Sequence, residues 1–462
     1  MFSTRATRFW SSVSVLTAKV RSSCPARRPS ARHCLTTSKP VRTTFEKTTL
    51  PNGLRVISER MPALHSVSVG FWVEAGSRYE SPSLGGISHF LEHMLFRGTE
   101  TRSAQDIARE IDSVGGVLNA FTDREFSCYY AKVLGDKLPQ AIDILSDLLL
   151  HSRLDPVDIE KERRVILQEL HMVEDSPDDL IHDLHSESIW RGHPLGQSVI
   201  GRQKTVHSIG RDELLTLLSD NYCGRNLIVC AAGDVDHQDL VSRVEKAFHD
   251  LPAGSHVTRE LAPDYRSELS IVSKDLEQVH LCLGCRGVSQ VETDRYAMNL
   301  LNSVLGAGMS SRLFQTIREQ HGLAYSIYSY LNNHSDAGAL TVYCGTAAED
   351  VPQLLSMTLK ELRTLKNELI SDDQLERTKE QLKGGLLLSL ESTDNRMSRL
   401  AKSEIFLGKH YDLSALIEKI DMVTKDDMLQ LASRLFTDEN LNLQMIGSLD
   451  PAAYPADCLT LS

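Results

Sequence analysis

The spacing of apolar and polar positions after residue 42 predicts a chain built from both strands and helices. Apolar residues that alternate with polar ones, or form short runs, predict strands over 48–61, 66–76, 115–133 and 226–235. Apolar residues three and four positions apart predict helices over 84–98, near 103–114, over 138–150 and from Asp155 onward. This order of elements describes one complete α+β unit.

A second stretch of the chain repeats this outline. Strand patterns run through 270–288, 324–331, 339–345 and 440–449, and helical patterns lie near 294–305 and begin at Val351 and Asp372. The two closing strands align at a spacing of 214 positions, so that Asn226 corresponds to Asn440 and Gly233 to Gly447. A single repeat of this length indicates duplication of a domain rather than a solenoid.

The expected fold class is therefore α+β, with two homologous domains that each contain a mainly antiparallel sheet covered by helices. Residues 250–268 are polar and contain two prolines and a glycine, a composition typical of a linker. We predict a first domain at 43–249, this linker at 250–268 and a second domain at 269–462.

Composition is that of an ordinary folded protein. The 462 residues are 41% hydrophobic and 24% charged, and no apolar run reaches the roughly 20 residues that span a bilayer. Nine cysteines are scattered along the chain. Cys282 and Cys285 form a C-x-x-C sequence without a second pair, so we interpret them as buried strand residues in a reducing compartment.

Residues 1–42 differ from the rest of the chain. They contain nine Lys and Arg residues, many serines and no acid, which is typical of a mitochondrial transit peptide. A non-native extension from a misplaced start would have a similar composition. The first interpretation predicts the mitochondrial matrix, and otherwise we expect a cytoplasmic protein.

Charge limits the classes of partner. Because the whole chain carries −12 and residues 1–42 carry +9, the remaining residues carry −21. A body of this charge repels nucleic acid and attracts cationic partners, so we expect no nucleic-acid binding.

The segment from Leu84 to Gly98 carries the clearest candidate chemistry. His89, Glu92 and His93 follow the order H-x-x-E-H on a predicted helix, where positions i, i+3 and i+4 share one side. Two imidazoles and one carboxylate then project together. This arrangement suits a divalent metal with a proton acceptor beside it.

A third metal ligand has to come from elsewhere in the chain. The helix that begins at Asp155 and Pro156 places Glu162 and Glu169 seven positions apart on one side. Burying an acid among apolar residues is costly unless it is paired or bound to a cation. Glu169 is the stronger candidate, whereas Glu162 either supports the site or forms a surface ion pair.

With these residues, the sequence resembles the pitrilysin, or insulinase, family of zinc peptidases, in which H-x-x-E-H is followed by a glutamate at about this distance. It is similar to the short branch that includes the mitochondrial processing peptidase β subunit and its bacterial homologues. The resemblance implies that Zn²⁺ is bound by His89, His93 and Glu169. It also implies that Glu92 is the general base and that Glu162 assists catalysis as the second acid of the downstream helix.

Further residues gain a role only from this resemblance. Arg318 and Tyr325 match an Arg and a Tyr that the family uses to stabilise the oxyanion. The segment Asn119, Ala120 and Phe121 matches the family's N-A-x segment beside the zinc, and we expect it to bind substrate as the open edge of a sheet. An ordinary internal strand is the alternative for this segment.

The resemblance implies a zinc metalloendopeptidase that acts on peptides, presequences or unfolded segments. Short members of the family supply half of an enclosing chamber, so we expect a homodimer or a pair with a paralogous subunit. Two alternatives are a homodimeric bacterial-type peptidase without presequence specificity and a non-catalytic core protein of a respiratory cytochrome bc complex. A structural metal site is a third, which requires a fourth protein ligand.

Overall fold

The computed structural model describes residues 45–258, 261–455 and 458–461. The segment 1–42, which we interpret as a transit peptide or an extension, lies outside the described residues. No helix in the described part of the chain is both long and apolar enough to cross a membrane.

The first sheet has six strands. Their order is β1-β2-β6-β3-β5-β4, and every neighbouring pair is antiparallel except β2 with β6. The strands are β1 (Phe45–Thr49), β2 (Arg55–Arg60), β3 (Ser66–Val73), β4 (Val117–Thr122), β5 (Ser127–Leu134) and β6 (Leu227–Gly233). The central strands β3 and β6 are almost wholly buried because both faces of the sheet are covered, which explains their continuous apolar sequences. The strand β4 lies at one edge.

Eight helices accompany this sheet in the sequence. They are α1 (Ile87–Leu95), α2 (Ala104–Ser113), α3 (Leu138–His151), α4 (Pro156–Glu174), α5 (Pro177–Ile189), α6 (Gln203–Ser208), α7 (Arg211–Asn221) and α8 (His237–Ala247). The main core of this half lies between the sheet and helices that include α1, α3, α4 and α8. Asp155 caps α4 by accepting a hydrogen bond from the Val157 amide, with Pro156 in the first turn, which confirms the predicted start of this helix.

The second sheet repeats the topology of the first. Its order, β7-β11-β8-β10-β9, corresponds strand by strand to β2-β6-β3-β5-β4, again with one parallel pair, β7 with β11. The strands are β7 (Leu269–Ser273), β8 (Val279–Arg286), β9 (Ala324–Asn333), β10 (Gly338–Thr346) and β11 (Leu441–Gly447). The predicted α+β fold, with two homologous and mainly antiparallel units, is confirmed. Cys282 and Cys285 lie in β8 with free, buried thiols.

The helices of this half are α9 (Arg295–Leu305), α10 (Val351–Asn367), α11 (Asp372–Ser389), α12 (Thr393–Leu407), α13 (Leu413–Asp421) and α14 (Lys425–Leu435). A π-helical turn, Phe314–Gln320, stands between α9 and β9. Between α8 and β7, the described residues form neither helix nor strand.

The two halves exchange one helix each. Helix α12 of the second half packs on the outer face of the first sheet, where Met397 and Leu400 contact the layer that contains Ile57 and Trp72. In return, α5 packs on the second sheet through Ile181. Each half therefore completes the other's core, and the local sequence pattern does not predict this exchange.

Candidate metal centre

Residues that precede α1 fix the start of this helix. Gly86 precedes it with φ +95°, a left-handed conformation that favours glycine, and has no side chain to cap the helix. The buried Glu80 supplies that function, since its carboxylate oxygens accept hydrogen bonds from the amides of Gly86 and Ser88 at 2.7 and 2.8 Å. The helix ends at Leu95, not at Gly98 as its sequence suggested. The apolar side of α1 is fully buried, through Phe90, Leu91, Met94 and Leu95.

Helices α1 and α4 bring His89, His93 and Glu169 together. Glu169 Oε2 lies 3.8 Å from His89 Nε2 and 3.6 Å from His93 Nε2, and one ligand atom from each side chain lies within 4.8 Å of the others. Ligands about 2.1 Å from a tetrahedral zinc ion stand about 3.4 Å apart, so these spacings fit such an ion closely. Glu169 Oε2 is also buried and has no hydrogen-bond partner among the described residues, as expected of an atom reserved for a cation.

The electrostatics of the cluster also suit a metal. Burial, and then the neighbouring His93, lowers the pKa of His89 to about 3, so this imidazole is neutral at physiological pH. Metal ligation requires the neutral ring. Burial raises the pKa of Glu169, because an uncompensated carboxylate is unfavourable there. The described residues contribute three ligands and no fourth, which leaves a coordination position open and argues against a closed structural site.

Glu162 lies beside the ligands rather than among them. Its side chain is 2% exposed, and Oε2 lies 3.0 Å from His93 Nδ1, the ring nitrogen that faces away from the cluster. Its other oxygen pairs with the guanidinium of Arg97. The sequence left open a surface ion pair for Glu162, whereas the pair that forms, with Arg97, involves a buried Glu162 carboxylate that also contacts a histidine of the cluster. A carboxylate on the second nitrogen of a ligating histidine fixes the ring and increases its basicity.

Glu92 lies on the same side of α1, next to the cluster. Burial raises the pKa of its carboxyl group, and a hydrogen bond from Thr122 opposes that shift. The Thr122 hydroxyl donates to Glu92 Oε2 at 2.6 Å. Glu92 is also close enough to His93 and Glu169 for their charges to act on it. A carboxylate in this position can exchange a proton with a molecule held at the open coordination position.

The segment Asn119, Ala120 and Phe121 lies in β4. Among the described strands, β4 pairs only with β5 and lies at the edge of the sheet, which agrees with an open edge better than with an internal strand. Phe121 faces the protein, where its ring meets Trp72 edge-on with centroids 5.5 Å apart. Strand β4 packs beside α1, and Thr122 at its end contacts Glu92 next to the metal cluster.

Arg318 and Tyr325 lie together, but in the other half of the chain. Arg318 belongs to the π-helical turn and Tyr325 to the start of β9, and the guanidinium carbon stands 5.0 Å from the centre of the tyrosine ring. Tyr325 is 83% exposed. Within the described part of the chain, neither residue forms an ion pair with the metal cluster.

Sequence reasoning missed three residues that support the site, namely Glu80, Arg97 and Thr122. Arg97 follows His93 by four positions, a helical spacing that could have indicated its proximity. Glu80 and Thr122 reach α1 from other elements, and no local spacing marks them.

Sequence comparisons extend this picture. The family profile described as "Insulinase (Peptidase family M16)" matches residues 55–203, and the one described as "Peptidase M16 inactive domain" matches residues 208–382. The chain belongs to the insulinase family. An uncharacterized zinc protease of Bacillus subtilis is 42% identical over 395 residues, covering 86% of this chain and 96% of the relative. One from Mycobacterium bovis is 41% identical over 401 residues, covering 85% and 90%.

Solved structures agree at the level of the fold. The crystal structure of a protease from Helicobacter pylori superposes with a TM-score of 0.81 at 22% identity, over 88% of this chain and 99% of that one. Within this insulinase-family chain, the first profile contains His89, His93 and Glu169, whereas the inactive-domain profile contains Arg318 and Tyr325.

Proposed function

We propose that the protein is a zinc-dependent metalloendopeptidase, with Zn²⁺ bound by His89, His93 and Glu169. The observation that carries this proposal is the convergence of two histidine nitrogens and one carboxylate oxygen, 3.6–3.8 Å apart, around an open position beside Glu92. Family membership and relatives named as zinc proteases support the same choice of metal. The intact cluster favours a peptidase over a non-catalytic core protein.

Zinc in such a site supplies Lewis acidity, which lowers the pKa of water to about 7 and polarises carbonyl groups. Glu92 accepts a proton from the attacking water as the new carbon–oxygen bond forms at the scissile carbonyl. It then delivers that proton to the amide nitrogen as the carbon–nitrogen bond breaks. Glu162 holds the His93 ring in place throughout, through the hydrogen bond at Nδ1.

The free edge of β4 binds the substrate in this proposal. An extended peptide adds to a sheet edge through backbone hydrogen bonds, which require an unfolded segment and little sequence specificity. Asn119 and Ala120 lie on the strand that also contains Thr122, the partner of Glu92. The acidic body favours basic peptides. A processing-peptidase-like activity on presequences, in the mitochondrial matrix, is the specific form that we propose.

Arg318 and Tyr325 act on the metal site of a second chain in this proposal. Their pairing and the exposure of Tyr325 leave both available to a partner. The partner is a second copy or a paralogous subunit. We expect light scattering to give a dimer, and a monomer that retains full activity would contradict this part.

The test of the proposed function is Glu92→Gln. Loss of the proton acceptor should lower hydrolysis of a quenched fluorescent peptide by about 10²–10⁴-fold. Zinc content, measured by atomic absorption, should stay at one ion per chain because the three ligands are unchanged. Glu169→Ala, in contrast, should lose the metal. Retained hydrolysis in metal-free buffer by the metal-depleted protein would refute the assignment.

A further inference from the structure

We propose that Thr122 is a positioning residue for Glu92, and that its hydroxyl holds the carboxylate in the orientation needed for proton transfer. This inference rests on the proposed peptidase function. Thr122 is the last residue of β4, and its Oγ1 donates a 2.6 Å hydrogen bond to Glu92 Oε2. Within the described residues, this is the one side-chain hydrogen bond to that carboxylate.

The hydroxyl is itself held in place. Thr122 pairs with Ser127 across the β4–β5 ladder, and the two side-chain oxygens lie 3.4 Å apart. Ser127 is fully buried and its hydroxyl also lies 3.2 Å from the Ala75 carbonyl oxygen. Since Thr122 gives its one hydroxyl proton to Glu92, its oxygen can only accept from Ser127. The single hydroxyl proton of Ser127 is shared between this oxygen and the nearer Ala75 carbonyl oxygen.

The strand beneath Thr122 is equally constrained. Phe121 packs against Trp72, and the turn after Thr122 is closed by the Asp123 amide, which donates to the Phe126 carbonyl at 2.8 Å. Glu125 in that turn pairs with the fully buried guanidinium of Arg78 at 2.9 Å. The Thr122 hydroxyl is therefore held by a well-packed strand and turn, and it does not follow movements of the Glu92 side chain.

A glutamate needs such a restraint because several rotatable bonds separate its carboxylate from the helix. With Oε2 held by Thr122, Oε1 remains available to exchange a proton with water. Without the bond, both oxygens can turn toward His93 or solvent, and the fraction of time in the productive geometry falls. Thr122 also belongs to the edge strand proposed to bind the peptide, so base and substrate are positioned by one element.

The experiment compares Thr122→Val, which removes the hydroxyl at nearly constant shape, with Thr122→Ser, which restores it. We expect Thr122→Val to lower kcat on a quenched fluorescent peptide about 10- to 100-fold, with KM within about threefold and zinc content unchanged. Thr122→Ser should recover kcat to within about threefold. The matched control is Thr358→Val in α10, a buried threonine whose hydroxyl donates to its own helix, and it should behave as the wild type.

Three results would overturn the inference. They are wild-type kcat in Thr122→Val, equal impairment in Thr122→Val and Thr122→Ser, or loss of zinc in Thr122→Val. If Thr122→Val does not fold, Thr122→Ala against Thr122→Ser gives the same comparison. Failure of the proposed function gives a different result from failure of this inference. In that case the zinc-loaded wild type cleaves no peptide, or Glu92→Gln cleaves as fast as the wild type. The inference about Thr122 then also fails.

Discussion

Replacing Glu162 by Gln tests how strongly a buried carboxylate supports the metal centre. The carboxylate oxygen lies 3.0 Å from His93 Nδ1, and its side chain is only 2% exposed, so solvent screens this contact poorly. Gln keeps the shape and one acceptor but removes the negative charge that faces the imidazole ring. Loss of such a partner lowers metal affinity about 10- to 100-fold. This corresponds to about 1.4–2.7 kcal/mol of zinc-binding free energy.

The assay is a competition for zinc between the protein and a fluorescent chelator near neutral pH. Glu160→Gln is the matched control, because it removes the same charge from the same helix at a position where the carboxylate is exposed and pairs with Arg163. We expect the control to bind zinc as the wild type does. A Glu162→Gln protein that binds zinc within twofold of the control would refute the role of Glu162 in orienting His93.

Two further predictions concern stability. Met397→Ala should lower the free energy of unfolding by about 2–5 kcal/mol in urea titrations, because Met397 is buried against Gly70 and Trp72 where the two halves meet. An unchanged urea midpoint would contradict this prediction. Burial raises the pKa of Glu80 from 4.5 to about 7, so the stability from its protonated form is present below pH 4.5 and is lost as pH rises through about 7. Relative to Glu80→Gln, the wild type should lose about 3 kcal/mol of unfolding free energy between these pH values. A difference in unfolding free energy that does not change with pH would contradict the raised pKa of Glu80.

The local sequence pattern was sufficient to predict individual helices and strands and part of the metal site. Helix α4 begins where Asp155 and Pro156 predict, because capping depends on adjacent residues. His89 and His93 share one side of α1 because a helix repeats every 3.6 residues. The residues alone favoured Glu169 over Glu162 as the third ligand, although both lie on the same side of one helix. The fold separates them, with Glu169 at the ring nitrogens that face the open position and Glu162 behind His93.

Contacts between distant parts of the chain could not be predicted in this way. The exchange of α5 and α12 depends on which apolar helix surface meets which sheet, and neither periodicity nor composition contains that information. The π-helical turn that carries Arg318 has the composition of an ordinary helix. The proximity of Arg318 and Tyr325 follows from the turn leading directly into β9, although only the family resemblance had linked them.

The duplicated half shows what the motif helix needs in addition to its scaffold. Both halves have the same strand order, and α9 packs on α11 much as α1 packs on α4, yet the described second half holds no comparable metal cluster. In the first half, three other elements fix α1 and its side chains: Glu80 caps its amides, Glu162 orients His93 and Thr122 holds Glu92. These contacts span 6 to 69 positions in sequence. A five-residue motif therefore locates the centre, whereas its geometry depends on residues that only the folded chain brings to it.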